Sequence, residues 1–191
     1  MYNKSILSFN HTYESLEYTI NIAPIHENDR DRLAQIANDP DIAKNVGDTF
    51  PHPYTIQDAE YRIHTWSNKD NTQQYGIYIN DTYAGNMGRG VAKDWRFKHN
   101  MLLWYRIGRE YRHQGIMTSI VSQVVHYIFL SHPDIHRIYA HVFGWNNASR
   151  KVLEKVWMQQ EAHRKESIYY DWKRYDEYEY AILRNQTTNT L

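Results

Sequence analysis

The stretch Trp104–Thr118, WYRIGREYRHQGIMT, constrains the fold more tightly than any other part of the chain. It reads as the end of a strand, an arginine-rich turn and the opening of a helix. Met117, Ile120, Val121, Val124, Val125 and Ile128 then recur at helical spacing and form one apolar stripe. Arg137–Phe143 (RIYAHVF) follows as a compact apolar strand. Strands bridged by a helix need a crossover and pair in parallel. The turn also carries chemistry. Backbone N–H groups at a helix start, with the positive end of the helix dipole, suit a phosphate or diphosphate. Gly115 has no side chain to block a ligand, Arg109 and Arg112 offer positive charge, and Thr118 adds a hydroxyl in the first turn. The same pattern also fits an ordinary strand–turn–helix with its basic residues in solvent.

Around this centre the elements fall in order. Residues 1–16 are polar and irregular, and are expected to be a loose lead-in. Tyr18–Ile25 alternates like a strand. Leu33, Ile36 and Ala37 mark a helix that stops at Asn38-Asp39-Pro40, Asp41–Val46 adds a turn, and Gly47 ends it. Thr55-Ile-Gln-Asp58 has the form of a capping box opening a helix to about Trp66, and Ser67–Thr72 is a polar loop. Gln74–Ile79 and Tyr83–Val91 flank Asn80-Asp81-Thr82 as a hairpin. Met101–Ile107 is the strand entering the central turn. Asn146–Val156 is a short amphipathic helix, Gln159–Tyr170 and Tyr175–Leu183 are the last two strands, and 184–191 is a polar tail. The order predicts an α+β or mixed α/β single sheet.

Composition removes several classes of function. The 191 residues fit one domain, given about 100–200 residues per domain. Lys plus Arg and Asp plus Glu both number 22, so no global charge argues for nucleic acid or a membrane surface. Cysteine is absent, which removes disulfides, thiolate metal sites and a cysteine nucleophile together. The 11 histidines are scattered, and His132 and His136 are separated by Pro133, so no metal is expected. No apolar run approaches the ~20 residues of a membrane span, and residence in the cytoplasm is the default expectation.

Arg112-His113-Gln114-Gly115-Ile116-Met117 resembles the Q/R-x-x-G-x-G/A loop that binds the acyl-CoA pyrophosphate in GNAT N-acetyltransferases. Val142–Val156, VFGWNNASRKVLEKV, resembles the W-N-x-A-S-x-x-V-L-E-K segment of the RimJ/RimL-type members, a group that includes ribosomal-protein N-terminal acetyltransferases. Asp39–Ile63 also looks like that group's acceptor-side helices. The resemblance spans residues 18–183 in order. It implies a GNAT fold: a single mixed, mostly antiparallel twisted sheet with a central splayed parallel pair and helices on both faces. It also implies acetyl-CoA as cosubstrate, an amine acceptor such as a peptide N-terminus or a small amine, no nucleic acid or membrane partner, and a monomer or homodimer. Carried over residue by residue, Tyr105, Arg106 and Ile107 would lie along the pantetheine arm. The N–H groups of Gln114, Gly115, Ile116, Met117 and Thr118 would hold the pyrophosphate with Arg112 nearby. Asn146 matches a cofactor-binding Asn, and equally fits a helix N-cap.

The chain departs from the pattern at four places, the first being Met117, where the loop pattern ends in Gly or Ala. Leu102 stands where many relatives have a strand Glu, Leu153 where many other GNAT enzymes have a Tyr, and Trp157-Met158 where the helix usually closes with Gly-Phe. A non-Gly residue in a left-handed cap costs about 1–2 kcal/mol, so this helix is expected to end differently, with Trp157 packed on apolar surface. Candidates for the missing chemistry are Ser149, near the thiol in the family or a first-turn Ser satisfying backbone, and Glu161, a cleft-facing base or a solvated carboxylate. Asp176, beside Tyr175, is an acceptor ligand or a tether of the last hairpin. A non-catalytic acyl-CoA-sensing domain is the competing reading.

Overall fold

Leu7, Phe9, His11 and Tyr13 alternate with Ser8, Asn10 and Thr12, the period-two pattern of a pleated strand. In the computed structural model, which describes residues 5–46, 50–66, 72–91 and 94–187, this segment is β1 (Leu7–Tyr13). It pairs antiparallel with β2 (Leu16–Ala23) from Leu7↔Ile22 to Tyr13↔Leu16. The loose lead-in expected for residues 1–16 is thus corrected from Leu7 onward, while residues 1–4 lie outside the described residues. One face of β1 is half-buried and the polar face is exposed, and the exposed residues gave the segment its irregular look.

The chain continues through α1 (Arg30–Ala37), α2 (Pro40–Ala43), α3 (Ile56–Trp66), β3 (Thr72–Ile79), β4 (Thr82–Val91) and β5 (Asn100–Ile107). It then forms α4 (Ile116–Ser131), β6 (Arg137–Phe143), α5 (Asn147–Lys155), β7 (Gln159–Tyr170), β8 (Lys173–Leu183) and α6 (Arg184–Thr187). The strands hydrogen-bond in the order β1-β2-β3-β4-β5-β6-β8-β7, with β5–β6 parallel and β1–β2, β2–β3, β6–β8 and β7–β8 antiparallel. The expected mixed sheet is present. The expected tail is corrected in part, since α6 begins directly after β8. The helix stop at Gly47 and residues 67–71 of the expected polar loop lie outside the described residues, while Thr72 opens β3.

Two compact units divide the chain, Met1–Arg89 with Tyr105–Met117, and Gly90–Trp104 with Thr118–Leu191. The core of the first holds Leu33, Ile36 and Ala37 of α1, Ala59 and Ile63 of α3, and Tyr78 and Tyr83. Each fully buried Leu or Ile there is worth about 1.5–3 kcal/mol. The capping box forms as expected, with Asp58 N–H donating to Thr55 Oγ1 at 3.1 Å and Thr55 N–H to Asp58 Oδ2 at 2.8 Å. Asn80 and Asp81 both have positive φ, 48° and 62°, as a two-residue type I′ hairpin requires. At Gly85 a Cβ would fall 2.3 Å from the Arg106 main-chain oxygen, so only glycine fits against the end of β5.

In the second unit, the apolar stripe of α4 is buried as predicted, with Ile120, Val121 and Ile128 at 0% exposure. Parallel β5–β6 pairing covers Asn100↔Arg137, Met101↔Ile138 and Leu102↔Tyr139, and goes no further although both strands continue. The end of α5 overturns an expectation. Trp157 adopts φ 65°, its N–H donates to Glu154 O at 3.1 Å, and Met158 N–H donates to Leu153 O at 3.0 Å. These are the paired bonds of a Schellman motif, so the helix ends in the usual left-handed cap with Trp in the glycine position. The ring is not packed as expected, being 68% exposed. Met158 and Leu153, both buried, stand at the two positions where such a cap commonly pairs apolar side chains.

Candidate functional site

Beyond Ile107 the chain makes a 3₁₀ turn at Arg109–Tyr111, passes through His113 at φ 63° and Gly115 at φ 74°, and enters α4 at Ile116. Two left-handed residues within three positions fold the chain tightly at the mouth of a helix. A Cβ at Gly115 would meet the His11 ring at 3.6 Å, an ordinary contact, so backbone conformation rather than space demands glycine here. The side chains of Ile116 and Met117 are buried, leaving their backbone N–H groups as what they offer a ligand. The first N–H groups of any helix lack an intrahelical partner.

The two arginines of the turn are engaged. Arg112 donates to Asp39 Oδ2 at 2.7 Å and to Ile107 O at 3.3 Å, and lies 3.5 Å from Asp41 Oδ2. Arg109 donates to Asp39 Oδ1 at 2.9 Å. Asp39 is the N-cap of α2, where its side chain also accepts from Asp41 N–H at 2.9 Å. Burial pushes its carboxyl up, but the Arg109 hydrogen bond, the Asp41 N–H and the Arg112 charge outweigh that and hold it below the usual carboxylate range. Any anion binding at this turn would compete with an ionised carboxylate for both guanidinia. The sequence marks Asp39 as part of a helix stop and as the first residue of the segment resembling the acceptor-side helices, and neither reading pairs it with the turn. No local pattern links it to residues 70 and 73 positions away.

Of the β5 residues expected along the cofactor, Ile107 is buried and Tyr105 half-buried. The Arg106 side chain turns inward, donating to Asn86 Oδ1 and lying over the Phe50 ring at 4.9 Å from its centroid. Burial pulls its guanidinium below its ordinary value. Any cofactor contact of Arg106 thus comes from its backbone.

The remaining candidates lie in the second unit, where the structure joins Asn146 to Ser149. Asn146 is the N-cap of α5, its Oδ1 accepting from Ser149 N–H at 3.1 Å, so the capping role is realised. Glu161 is the extra residue of a β-bulge, between Gln160↔Tyr180 and Ala162↔Glu179. Bulges re-aim side chains, and this one sends Glu161 to Arg137, whose Nε donates to Glu161 Oε2 at 3.0 Å. Arg137 also donates to Glu179 at 2.6 Å. Asp176 faces the second irregularity of β7, between Arg164 and Ile168. It takes His163 Nε2 at 2.6 Å and Glu166 N–H at 3.0 Å, and these two bonds, His163 first, draw its carboxyl below the usual range. The tethering role is therefore occupied. Tyr175 meets Trp145 edge-on at 4.6 Å, and Trp145 also contacts Phe143 and Tyr170 at 4.8 and 5.5 Å. No local pattern marks this aromatic cluster, because its members come from β6, β7, β8 and the turn after β6. Among the described residues no group of three or more His, Asp or Glu could hold a metal, and no helix is long and apolar enough to cross a membrane.

Residues 19–159 match the family model of the acetyltransferase (GNAT) domain. The chain belongs to the GNAT acetyltransferase family. It is an N-acetyltransferase by that membership, and solved GNAT structures share its fold. RimJ from Mycobacterium smegmatis, in complex with CoA-disulfide, is similar with a TM-score of 0.78 at 18% identity, over 88% of this chain and 83% of that one. The ribosomal-protein-S5-alanine acetyltransferase from Vibrio fischeri gives 0.74 at 18% identity over 94% and 97%. Spermidine N-acetyltransferase from Vibrio cholerae, in complex with CoA and spermine, gives 0.73 at 16% identity over 89% and 98%. No curated protein sequence matches the chain.

Proposed function

We propose that this GNAT protein transfers an acetyl group from acetyl-CoA to a primary amine, with a peptide N-terminal α-amine as the acceptor. The observation that carries the cofactor assignment is the Arg112–Thr118 turn, where a left-handed Gly115 opens the N-terminus of α4 three residues after Arg112. The backbone N–H groups of residues 114–118 would hold the CoA diphosphate, and Arg112 would exchange Asp39 for it.

The chemistry asks little of the side chains. A neutral amine attacks the thioester carbonyl, the C–N bond forms, the C–S bond breaks, and the ammonium proton ends on the thiolate or in solvent. Leu102 offers no proton acceptor. Glu161 is exposed and ion-paired with Arg137, so it would have to leave that pair to act as a base. Both facts favour an acceptor that reaches the site already neutral. An α-amine with pKa about 7.7–8.0 does so readily, whereas a lysine-like amine near 10.4 is neutral several hundredfold less often. Ser149, at the start of α5, is the group proposed to meet the departing thiolate.

A thiol-release assay against N-terminal peptides and small amines tests this, and peptides are expected to turn over fastest. Glu161→Gln is expected to leave the rate within severalfold, against the roughly 10²–10⁴-fold loss expected for a general base, and Ser149→Ala to lower it. Calorimetry on Gly115→Asp checks the loop, since CoA affinity should drop about a hundredfold or more from a strained left-handed Asp and its charge. CoA binding without turnover of any amine would favour the acyl-CoA-sensing reading, for which Leu102 is the supporting observation.

A further inference from the structure

Gln114, the residue before the left-handed glycine, is held at three atoms. Its main-chain oxygen lies 2.9 Å from His11 Nε2, and because a carbonyl only accepts, that nitrogen carries the hydrogen. Its side-chain Oε1 accepts from the Tyr18 hydroxyl at 2.9 Å, while its Nε2 donates to Glu110 O at 2.7 Å. The His11 and Tyr18 rings lie near-parallel, 15° apart in plane with centroids at 6.4 Å. His11 belongs to β1 and Tyr18 to β2. Both precede residue 19, where the match to the GNAT domain begins, so the hold on Gln114 comes from a part of this chain outside the matched segment.

The C=O and N–H of one trans peptide point in opposite directions. Anchoring the Gln114 oxygen on β1 therefore turns the Gly115 N–H away from β1. Glycine at φ 74° is the residue whose flanking peptide most easily turns over, so without an anchor that N–H would sample both directions. We propose that His11, supported by Tyr18, is a positioning residue for the cofactor. It locks the Gln114–Gly115 peptide so that the Gly115 N–H is aimed at the diphosphate before the diphosphate arrives. Ordering the donor in advance removes an entropy cost from binding. The inference rests on the Arg112–Thr118 turn being the diphosphate site.

Calorimetric titration of CoA into His11→Ala, His11→Gln, Tyr18→Phe and Gly115→Asp separates the possibilities. His11→Ala is expected to weaken CoA by roughly three- to tenfold, the worth of one hydrogen bond. In His11→Gln the amide nitrogen reaches the place of Nε2 and restores affinity. Steady-state kinetics of His11→Ala should show KM for acetyl-CoA raised by the same factor, with kcat and the amine KM unmoved, a split that general loosening of the structure would not give. Should His11→Ala melt below the assay temperature, Tyr18→Phe removes one hydroxyl and is expected to raise KM for acetyl-CoA about threefold. If the His11 and Tyr18 variants bind CoA like the parent while Gly115→Asp loses it, the positioning role is wrong and the turn stands. If Gly115→Asp binds CoA normally, the turn is not the diphosphate site and the positioning role falls with it.

Discussion

Both ends of helix α4 receive side-chain hydrogen bonds from far along the chain, whereas the two ends of α5 are closed by bonds among its own flanking residues. The distant partner of α5, Tyr180, meets the side chains of Arg150 and Glu154. At the start of α4, Gln114 is fixed by His11, 103 positions away. At its other end the Arg184 guanidinium donates to Phe129 O at 2.5 Å, His132 O at 2.7 Å and Ile135 O at 2.6 Å, and lies over the Phe129 ring. In α5, Asn146 caps Ser149 three residues on, and the Schellman bonds close Leu153 to Met158. In α5 the Ser149 N–H is already spent on the Asn146 side chain. The start of α4 is instead steadied from behind at the Gln114 carbonyl, a hold that takes up none of the helix's own N–H groups, and this supports the proposal of a diphosphate at α4 rather than α5.

Removing Arg184 should break the comparison hardest. Arg184→Ala deletes charge-assisted bonds to three carbonyls together with a ring contact, and hydrogen bonds involving a charged group are worth about 1.5–3 kcal/mol each. Water reclaims part of the loss, so urea unfolding should report stability lower by about 3 kcal/mol. A loss under about 1 kcal/mol would mean that α4 does not depend on its distant contacts.

Asn146→Ala probes the local cap and is expected to cost about 1 kcal/mol, within the 0.5–2 kcal/mol range for lost caps. Asn146→Asp keeps the capping oxygen and should hold stability. If CoA affinity nevertheless falls in the Asp variant, Asn146 serves cap and cofactor together, and the division between the two helix starts needs sharpening.

The same division explains what could be read from the sequence. The α4 stripe, the Thr55–Asp58 capping box, the hairpin at Asn80-Asp81-Thr82 and the strand–turn–helix around Arg112–Thr118 are all local patterns, each written within a few residues, and the structure has each of these elements, with Thr82 already in β4. The grip of Asp39 on Arg109 and Arg112, the Arg184 clamp and the His11 contact join residues tens of positions apart. No window of sequence contains both partners. Strand β1 was legible in the alternation Leu7, Phe9, His11, Tyr13 but was masked by its exposed polar face. The bulge at Glu161 had no signal, because an extra residue in an otherwise exposed strand changes no hydrophobic pattern, and it is this bulge that accompanies the Glu161–Arg137 pair. The fold was therefore more legible than the candidate site, whose charges are balanced across distance.

Trp157→Gly carries the smallest expected effect and the cleanest sign. Trp157 holds φ 65°, a conformation costing an L-residue about 1–2 kcal/mol relative to glycine. Glycine gives back about 0.5–1 kcal/mol of that through its greater freedom in the unfolded chain. The ring, 68% exposed, has little packing to lose, and the bonds from residues 157 and 158 are backbone bonds that glycine keeps. The balance is a gain of roughly 0.5 kcal/mol, read as a small rise in melting temperature. Trp157→Ala separates the two contributions, since it removes the ring and keeps the strained backbone, so the step from Ala to Gly isolates the conformational cost. If Trp157→Gly is instead destabilised while Trp157→Ala is destabilised as much, the ring makes contacts that outweigh the strain, and the end of α5 is not the purely local closure that distinguishes it from α4.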